Sequence, residues 1–191
     1  MVLKRGNSKL GKKVLAFNLP PLKTCTPSKW CKEHCYAQKG RFTFPVVKQS
    51  SENSYEKAKT STFESSVIDD IKRTKTEFVR IHASGDFFSA SYVNKWYNIA
   101  KECKDTKFLA FTRRGDLKEA ILKLESLPNV VIYESMDDSL KTRKIPEIPP
   151  ASITGCSHVR SQDRECNMGC EECNFLCWDK VKDKGVYFHV H

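Results

Sequence analysis

Apolar and polar positions alternate along the chain in two periods that take turns. Phe78-Val79-Arg80-Ile81-His82, Lys107-Phe108-Leu109-Ala110-Phe111-Thr112 and Val130-Val131-Ile132-Tyr133 are short runs rich in β-branched and aromatic residues, which predict strands, and Ala151-Ser152-Ile153-Thr154 is a weaker fourth. Between the first two, Tyr92, Trp96, Ile99, Ala100 and Cys103 recur at helical spacing, behind a Ser89 or Ser91 N-cap. Leu117, Ala120, Ile121 and Leu124 do the same between the next two, with Asp116 near the N-cap, and Pro128-Asn129 marks the turn that follows. Asn53 to Thr74 reads as one earlier helix. Val14 to Leu19 reads as an opening strand broken by Pro20-Pro21, and Val186 to Val190 alternates like a closing strand.

Strands and helices in turn, stepping by roughly 22–30 residues, are the signature of parallel βα units. The expected architecture is α/β: a partial (βα) barrel of parallel strands in a single domain over 1–191. A βα core spans 14–150, and a cysteine-rich metal-binding segment over 151–191 closes it. From Gly155 to Asp179 no period survives, so that segment is expected to take its order from a ligand. Ligands gather at the carboxyl ends of parallel strands. The polar residues falling there are Ser84, Gly85 and Asp86, then Arg113 and Arg114, then Glu134, Ser135, Met136, Asp137 and Asp138.

Cysteine changes the picture most. Eight of nine cysteines form two groups, Cys25-x5-Cys31-x3-Cys35 near the start and Cys156, Cys166, Cys170, Cys173 and Cys177 near the end. The ninth, Cys103, lies on the apolar face of its helix and reads as a small buried hydrophobe. Without an export signal, so many thiols imply a reducing compartment, the cytoplasm, where they bind metal rather than pair. No apolar run reaches the length of a membrane helix. Structural zinc favours C-x2-C pairs, and only Cys170-x2-Cys173 has that spacing. Four closely spaced thiolates suit an iron–sulfur cluster, and Cys166-x3-Cys170-x2-Cys173-x3-Cys177 supplies them. The favoured cofactor is a [4Fe-4S] cluster, with zinc as the alternative. Cys25, Cys31 and Cys35 have no fourth cysteine nearby, and His34 is a weaker candidate ligand. Cys156 can serve either group or neither.

The formal net charge of +10 points to an anionic substrate or nucleic acid as partner. The stretch Lys39-Gly40-Arg41-Phe42-Thr43-Phe44 could stack on and neutralise single-stranded nucleic acid, although a loop packing two phenylalanines explains it more plainly.

Several of these stretches together carry a family likeness. Thr24-Cys25-Thr26-Pro27 through Cys31-Lys32-Glu33-His34-Cys35-Tyr36-Ala37 resembles the opening motif of the phage gene product 88-like proteins. Arg80, His82, Ser84, Gly85, Asp86, Phe87, Ser89, Tyr92 and Trp96 match their R-x-H-x-SGDF-x-S segment and the helix after it. Phe111-Thr112-Arg113, then Cys170, Cys173, Cys177 and Trp178, then Phe188 and His189, resemble later parts. The likeness runs over about residues 14–191, except that Cys173-x3-Cys177 stands where x2 is expected. The pattern is also distantly similar to radical S-adenosylmethionine proteins, which implies that Ser84, Gly85 and Asp86 contact that cofactor.

On this reading the chain is an iron–sulfur protein, and if an enzyme, one that cleaves S-adenosylmethionine reductively with an electron donor. His82, Asp86 and Arg113 are the candidate catalytic residues, and Arg113 is expected to hold an anion. Plainer roles compete: a buried, satisfied histidine for His82, a turn for Gly85 and Asp86, and packing for Trp96 and Trp178. A zinc- or iron-stapled nucleic-acid-binding protein is the alternative function.

Overall fold

The computed structural model describes residues 1–180 and 184–189. Its frame is one sheet of eight strands: β1 (Lys4–Arg5), β2 (Val14–Phe17), β3 (Phe78–Ile81), β4 (Lys107–Thr112), β5 (Val130–Ser135), β6 (Pro150–Ile153), β7 (Arg164–Cys166) and β8 (Val186–Phe188). The spatial order is β1-β2-β3-β4-β5-β6-β8-β7, and every pairing is parallel except β1 with β2. The α/β class and the run of parallel neighbours are as expected. Closure into a barrel is not observed among the described residues: there β1 and β7 are the two edges of the sheet.

Alternation along the strands sorts two cores. Leu15, Phe17, Val79, Ile81, Phe108, Ala110, Val130 and Ile132 face the helices α3 (Phe63–Thr74), α4 (Ala90–Glu102) and α5 (Lys118–Glu125). Val14, Ala16, Phe78, Leu109, Val131 and Tyr133 face the opposite way. There the cysteine-rich segment covers them through Phe175 and Trp178. Phe78 stacks on Phe175 at 4.0 Å and meets Trp178 edge-on at 5.7 Å. Trp178 and Trp96 are thus packing residues, as the plainer reading had them.

Some boundaries differ from expectation. Asn53 to Thr74 is two helices, α2 (Pro45–Lys59) and α3. Pro45 opens α2 at its first turn, where a missing N–H costs nothing, and Thr60-Ser61-Thr62 separates the pair. Ser89 is the N-cap of α4, its side chain accepting the Tyr92 N–H at 3.2 Å. Asp116 caps nothing. A 3₁₀ turn, Gly115–Leu117, precedes α5, and Asp116 pairs with Arg114 instead. The closing strand ends at Phe188, and Val190 lies outside the described residues. Among the described residues no helix is long and apolar enough to cross a membrane.

Candidate metal centre

The carboxyl edge of the sheet is knitted together by the loops after β2 and β3. Leu19 N–H donates to Ser84 O at 2.9 Å, Ser84 Oγ donates back to Leu19 O at 2.9 Å, and Ala83 N–H donates to Asn18 Oδ1 at 2.9 Å. Thr24 Oγ1 accepts the Asp86 N–H at 3.3 Å. Gly85 sits between the two loops at φ +81, where a Cβ would lie 2.5 Å from that of Leu19 and 2.7 Å from Thr24 Oγ1. Only glycine has both the dihedral freedom and the size for this crossing. Cys25, next to Thr24, is thereby held beside Asp86.

The other two N-terminal cysteines come from a short helix, α1 (Lys29–Glu33), and the residues after it. Ser28 caps α1: its Oγ accepts the Cys31 N–H at 3.1 Å and donates to Asp137 Oδ2 at 2.6 Å. A strand end far along the chain therefore fixes the helix that carries Cys31. Cys35 opens a 3₁₀ turn, and the hydroxyl of the next residue, Tyr36, donates to Ala83 O. His34 is exposed, stacked on Trp30 at 4.4 Å, with Nδ1 3.0 Å from Trp30 O. It is a surface residue, as its ordinary reading had it.

Electrostatics group these side chains. Burial pushes the Cys25 thiol up to about 12, and the Asp86 carboxylate and the thiolates of Cys31 and Cys35 add to the shift. Burial also raises Cys31, while the Arg113 guanidinium opposes it by charge and hydrogen bond. Burial lifts Asp86 to about 6 against three donors: Phe87 N–H at 2.7 Å, the Thr112 hydroxyl at 2.8 Å and Arg113 N–H at 2.9 Å. Asp86 is both turn and candidate acid, since these bonds tie β3 to β4 while the carboxylate's charge reaches Cys25. Arg113 is not a free anion site. Its Nη1 lies 2.7 Å from Oδ2 of the fully buried Asp137, an ion pair without hydrogen-bond alignment. Burial alone would raise Asp137, but hydrogen bonds from Ser139 and Ser28, with Arg113, hold it below the usual carboxylate range.

His82 does not join this group. Alternation predicts that it shares a face with Arg80, but the chain leaves the strand at His82 with φ 65, turning the ring toward α4. There Nε2 bonds the Tyr92 hydroxyl at 2.8 Å and the ring packs on Phe87 and Tyr92. Burial, reinforced by the Arg80 charge, lowers its pKa to about 3. His82 is a neutral, buried histidine packed into the core, apart from the cysteines.

The C-terminal cysteines form a second set on the inner face of the sheet. Burial pushes Cys177 up to about 12, helped by the thiolates of Cys166, Cys173 and Cys170. Cys170 rises to about 11 through burial and then through Cys173 and Cys166. Cys170 and Cys177 thus both lie within electrostatic reach of Cys166 and Cys173. Cys156 stands apart from them. Its thiol is raised by burial, and its neighbours are His158 and Asp138 rather than another cysteine. Cys103 is buried at the end of α4. Among the described residues no three His, Cys, Asp or Glu side chains stand close enough to hold a single metal ion. The C-terminal segment therefore carries no preformed metal-binding group, contrary to expectation. Protonated thiols gain nothing by converging, because convergence needs a cation to offset their repulsion.

A residue whose role the sequence left unassigned stands over the second set. Arg80 projects from β3 onto the same face as Phe78. Its guanidinium lies 4.0 Å from the centre of the Phe111 ring, and Nε donates to His82 O at 3.0 Å. The signal was visible: a lone arginine on the inner face of an otherwise apolar strand.

The family model of gene product 88 matches residues 1–174. The chain belongs to the gene product 88 family. It is 35% identical over 66 residues to the Gene 88 protein of Mycobacterium phage D29, and 37% identical over 68 residues to that of Mycobacterium phage L5. Each match covers 35% of this chain and 27% of the relative, so the aligned part spans about a quarter of the curated relatives' length. No solved structure matches. The gene product 88 match takes in the N-terminal triad, the Ser84-Gly85-Asp86 turn and all of the second set except Cys177. The likeness read at Cys177, Trp178, Phe188 and His189 lies beyond it.

Proposed function

We propose that this gene product 88 protein is an iron–sulfur protein with two thiolate sites of unequal kind. Cys166, Cys170, Cys173 and Cys177 supply the four thiolates of a closed site, structural or electron-relaying. Cys25, Cys31 and Cys35 supply three, leaving one iron position for substrate or for S-adenosylmethionine. When bound, an open four-iron cluster supplies an electron to a ligand at its unfilled position. The observation that carries the proposal is the division of cysteines into a group of three and a separate group of four. The three stand among Asp86, Arg113 and Asp137 at the strand ends where α/β proteins bind ligands.

The chain's own groups have defined tasks in this reading. Arg113 opposes the rise in the Cys31 pKa and so favours the thiolate that binds metal. Asp86, tuned to about 6, is placed to take or give a proton beside Cys25. The donor set is sulfur-rich and held by fixed loops, which suits iron–sulfur chemistry. Anaerobically purified protein is expected to be brown, with iron and acid-labile sulfide in equal amounts and a paramagnetic signal that S-adenosylmethionine alters. Replacing Cys25, Cys31 and Cys35 by alanine should remove the altered part of the signal and leave the rest. Colourless protein carrying zinc overturns the reading. A signal indifferent to S-adenosylmethionine rules out that cofactor but keeps the clusters.

One observation favours a second reading, nucleic-acid binding. Phe42 packs edge-on against Tyr36 at 5.7 Å, but Phe44 is 54% exposed, beside the exposed Lys39, Arg41 and Lys48. The loop thus presents one aromatic rather than packing both. Binding to single-stranded DNA or RNA that weakens steeply with salt supports it, and no binding at low salt removes it.

A further inference from the structure

A cation held inside a protein normally faces an anion, because an uncompensated buried charge is costly. Arg80, half-buried on the inner face of β3, departs from that rule among the described residues. It makes no ion pair with any aspartate or glutamate. Its fixed contacts are a backbone carbonyl and an aromatic face, at His82 and Phe111. The inner face that it shares is packed by Cys166, Cys170 and Cys177. Burial depresses its pKa, and the groups that offset this are Tyr36 and then Cys170, Cys177 and Cys166. Tyrosine and thiol are neutral at ordinary pH, so with free thiols the guanidinium has no counter-charge among the described residues.

We infer that Cys166, Cys170, Cys173 and Cys177 form a metal–thiolate centre of net negative charge, and that Arg80 is its counter-cation. The inference rests on the proposed second site but not on which metal fills it. Four thiolates around one zinc or cobalt ion leave two negative charges, and four thiolates around a four-iron cluster leave at least as many. Arg80 neutralises part of that charge without ligating, and the Phe111 ring holds its guanidinium in place. Without the metal, the arginine faces protonated thiols and no carboxylate among the described residues. Arg80 thus acts as a positioning residue for the second site rather than a ligand.

The test is cobalt(II) titration of the full apo chain, followed by its thiolate charge-transfer absorption, in the wild type, Arg80→Gln, Arg80→Met and Arg80→Lys. The two neutral variants should bind about tenfold more weakly or worse, equivalent to roughly 1.4 kcal/mol, and Arg80→Lys should stay near the wild type. Apo melting temperatures should not fall in Arg80→Gln, since the unpaired cation has been removed. Where iron can be loaded, the neutral variants should show a lower midpoint potential, because a nearby positive charge favours the added electron. Equal cobalt affinity in all four chains overturns the inference and leaves the clusters standing. Weak binding by Arg80→Lys and Arg80→Gln alike assigns the effect to hydrogen bonding and shape, and overturns it too. A wild type that binds no cobalt rejects the anionic centre itself, whereas cobalt binding by a chain that never accepts iron overturns only the iron reading.

Discussion

Gly85→Ala tests whether the crossing of two loops holds the first thiolate group in place. The new methyl meets two separate costs. At φ +81 a residue with a Cβ pays about 1–2 kcal/mol for the left-handed conformation. The same Cβ would sit 2.5 Å from Leu19 Cβ, 2.7 Å from Thr24 Oγ1 and 3.0 Å from the Leu19 carbonyl carbon. Leu19 and Thr24 are both buried, so neither can swing aside cheaply, and forced overpacking adds about 1–3 kcal/mol. The sum is about 2–5 kcal/mol, a large share of an ordinary domain's stability. Gly155→Ala is the matched control: it has φ +80 but nothing within 4 Å, so it carries the dihedral cost alone. Urea unfolding of the apo chains measures both, with unchanged slopes marking unchanged compactness. The difference between the two variants isolates the crowding. If Gly85→Ala costs no more than Gly155→Ala, the loops are not in the close contact described, and the account of how Cys25 is held beside Asp86 fails.

Asp86, raised to about 6 in the fold, binds its proton more tightly folded than unfolded. The apo protein should therefore lose up to about 3 kcal/mol from this group as pH rises from about 4 to 7; a stability difference from Asp86→Asn that does not vary over that range refutes this. Arg113→Gln strands the fully buried Asp137 and should cost about 3–5 kcal/mol, with Asp137→Asn added on top recovering part of it in a double-mutant cycle. His82, held neutral with a pKa of about 3, should show no imidazole titration by NMR between about pH 5 and 8, and a midpoint near 6.5 would contradict its burial against Tyr92.

The parallel α/β core was legible because its signal is local. Phe78 to Ile81 and Lys107 to Thr112 each carry apolar residues on both faces, as a strand covered on both sides must. The helix break after Lys59 was not legible, since Thr60-Ser61-Thr62 carries neither glycine nor proline. β1 and β7 escaped for another reason: two or three residues are too few to show a period, and distant partners alone make them strands. Site residues could be named wherever strand ends could be named, which found Asp86, Arg113 and Asp137. Their partners could not be read, and it is the partners that decide what each does. Arg113 is spent on Asp137, and His82 turns away through a single positive φ.

The strand order also dictates a sequence of events in time. Among the described residues β7 has no sheet neighbour other than β8, and β8 is made about twenty residues after Cys166. While the chain emerges, the core through β6 can already pair, but the strand of Cys166 gains its sheet pairing only when Val186–Phe188 has slotted between β6 and β7. The strand that bears Cys166 therefore joins the sheet only after β8 has been made, later than the βα core on which it rests.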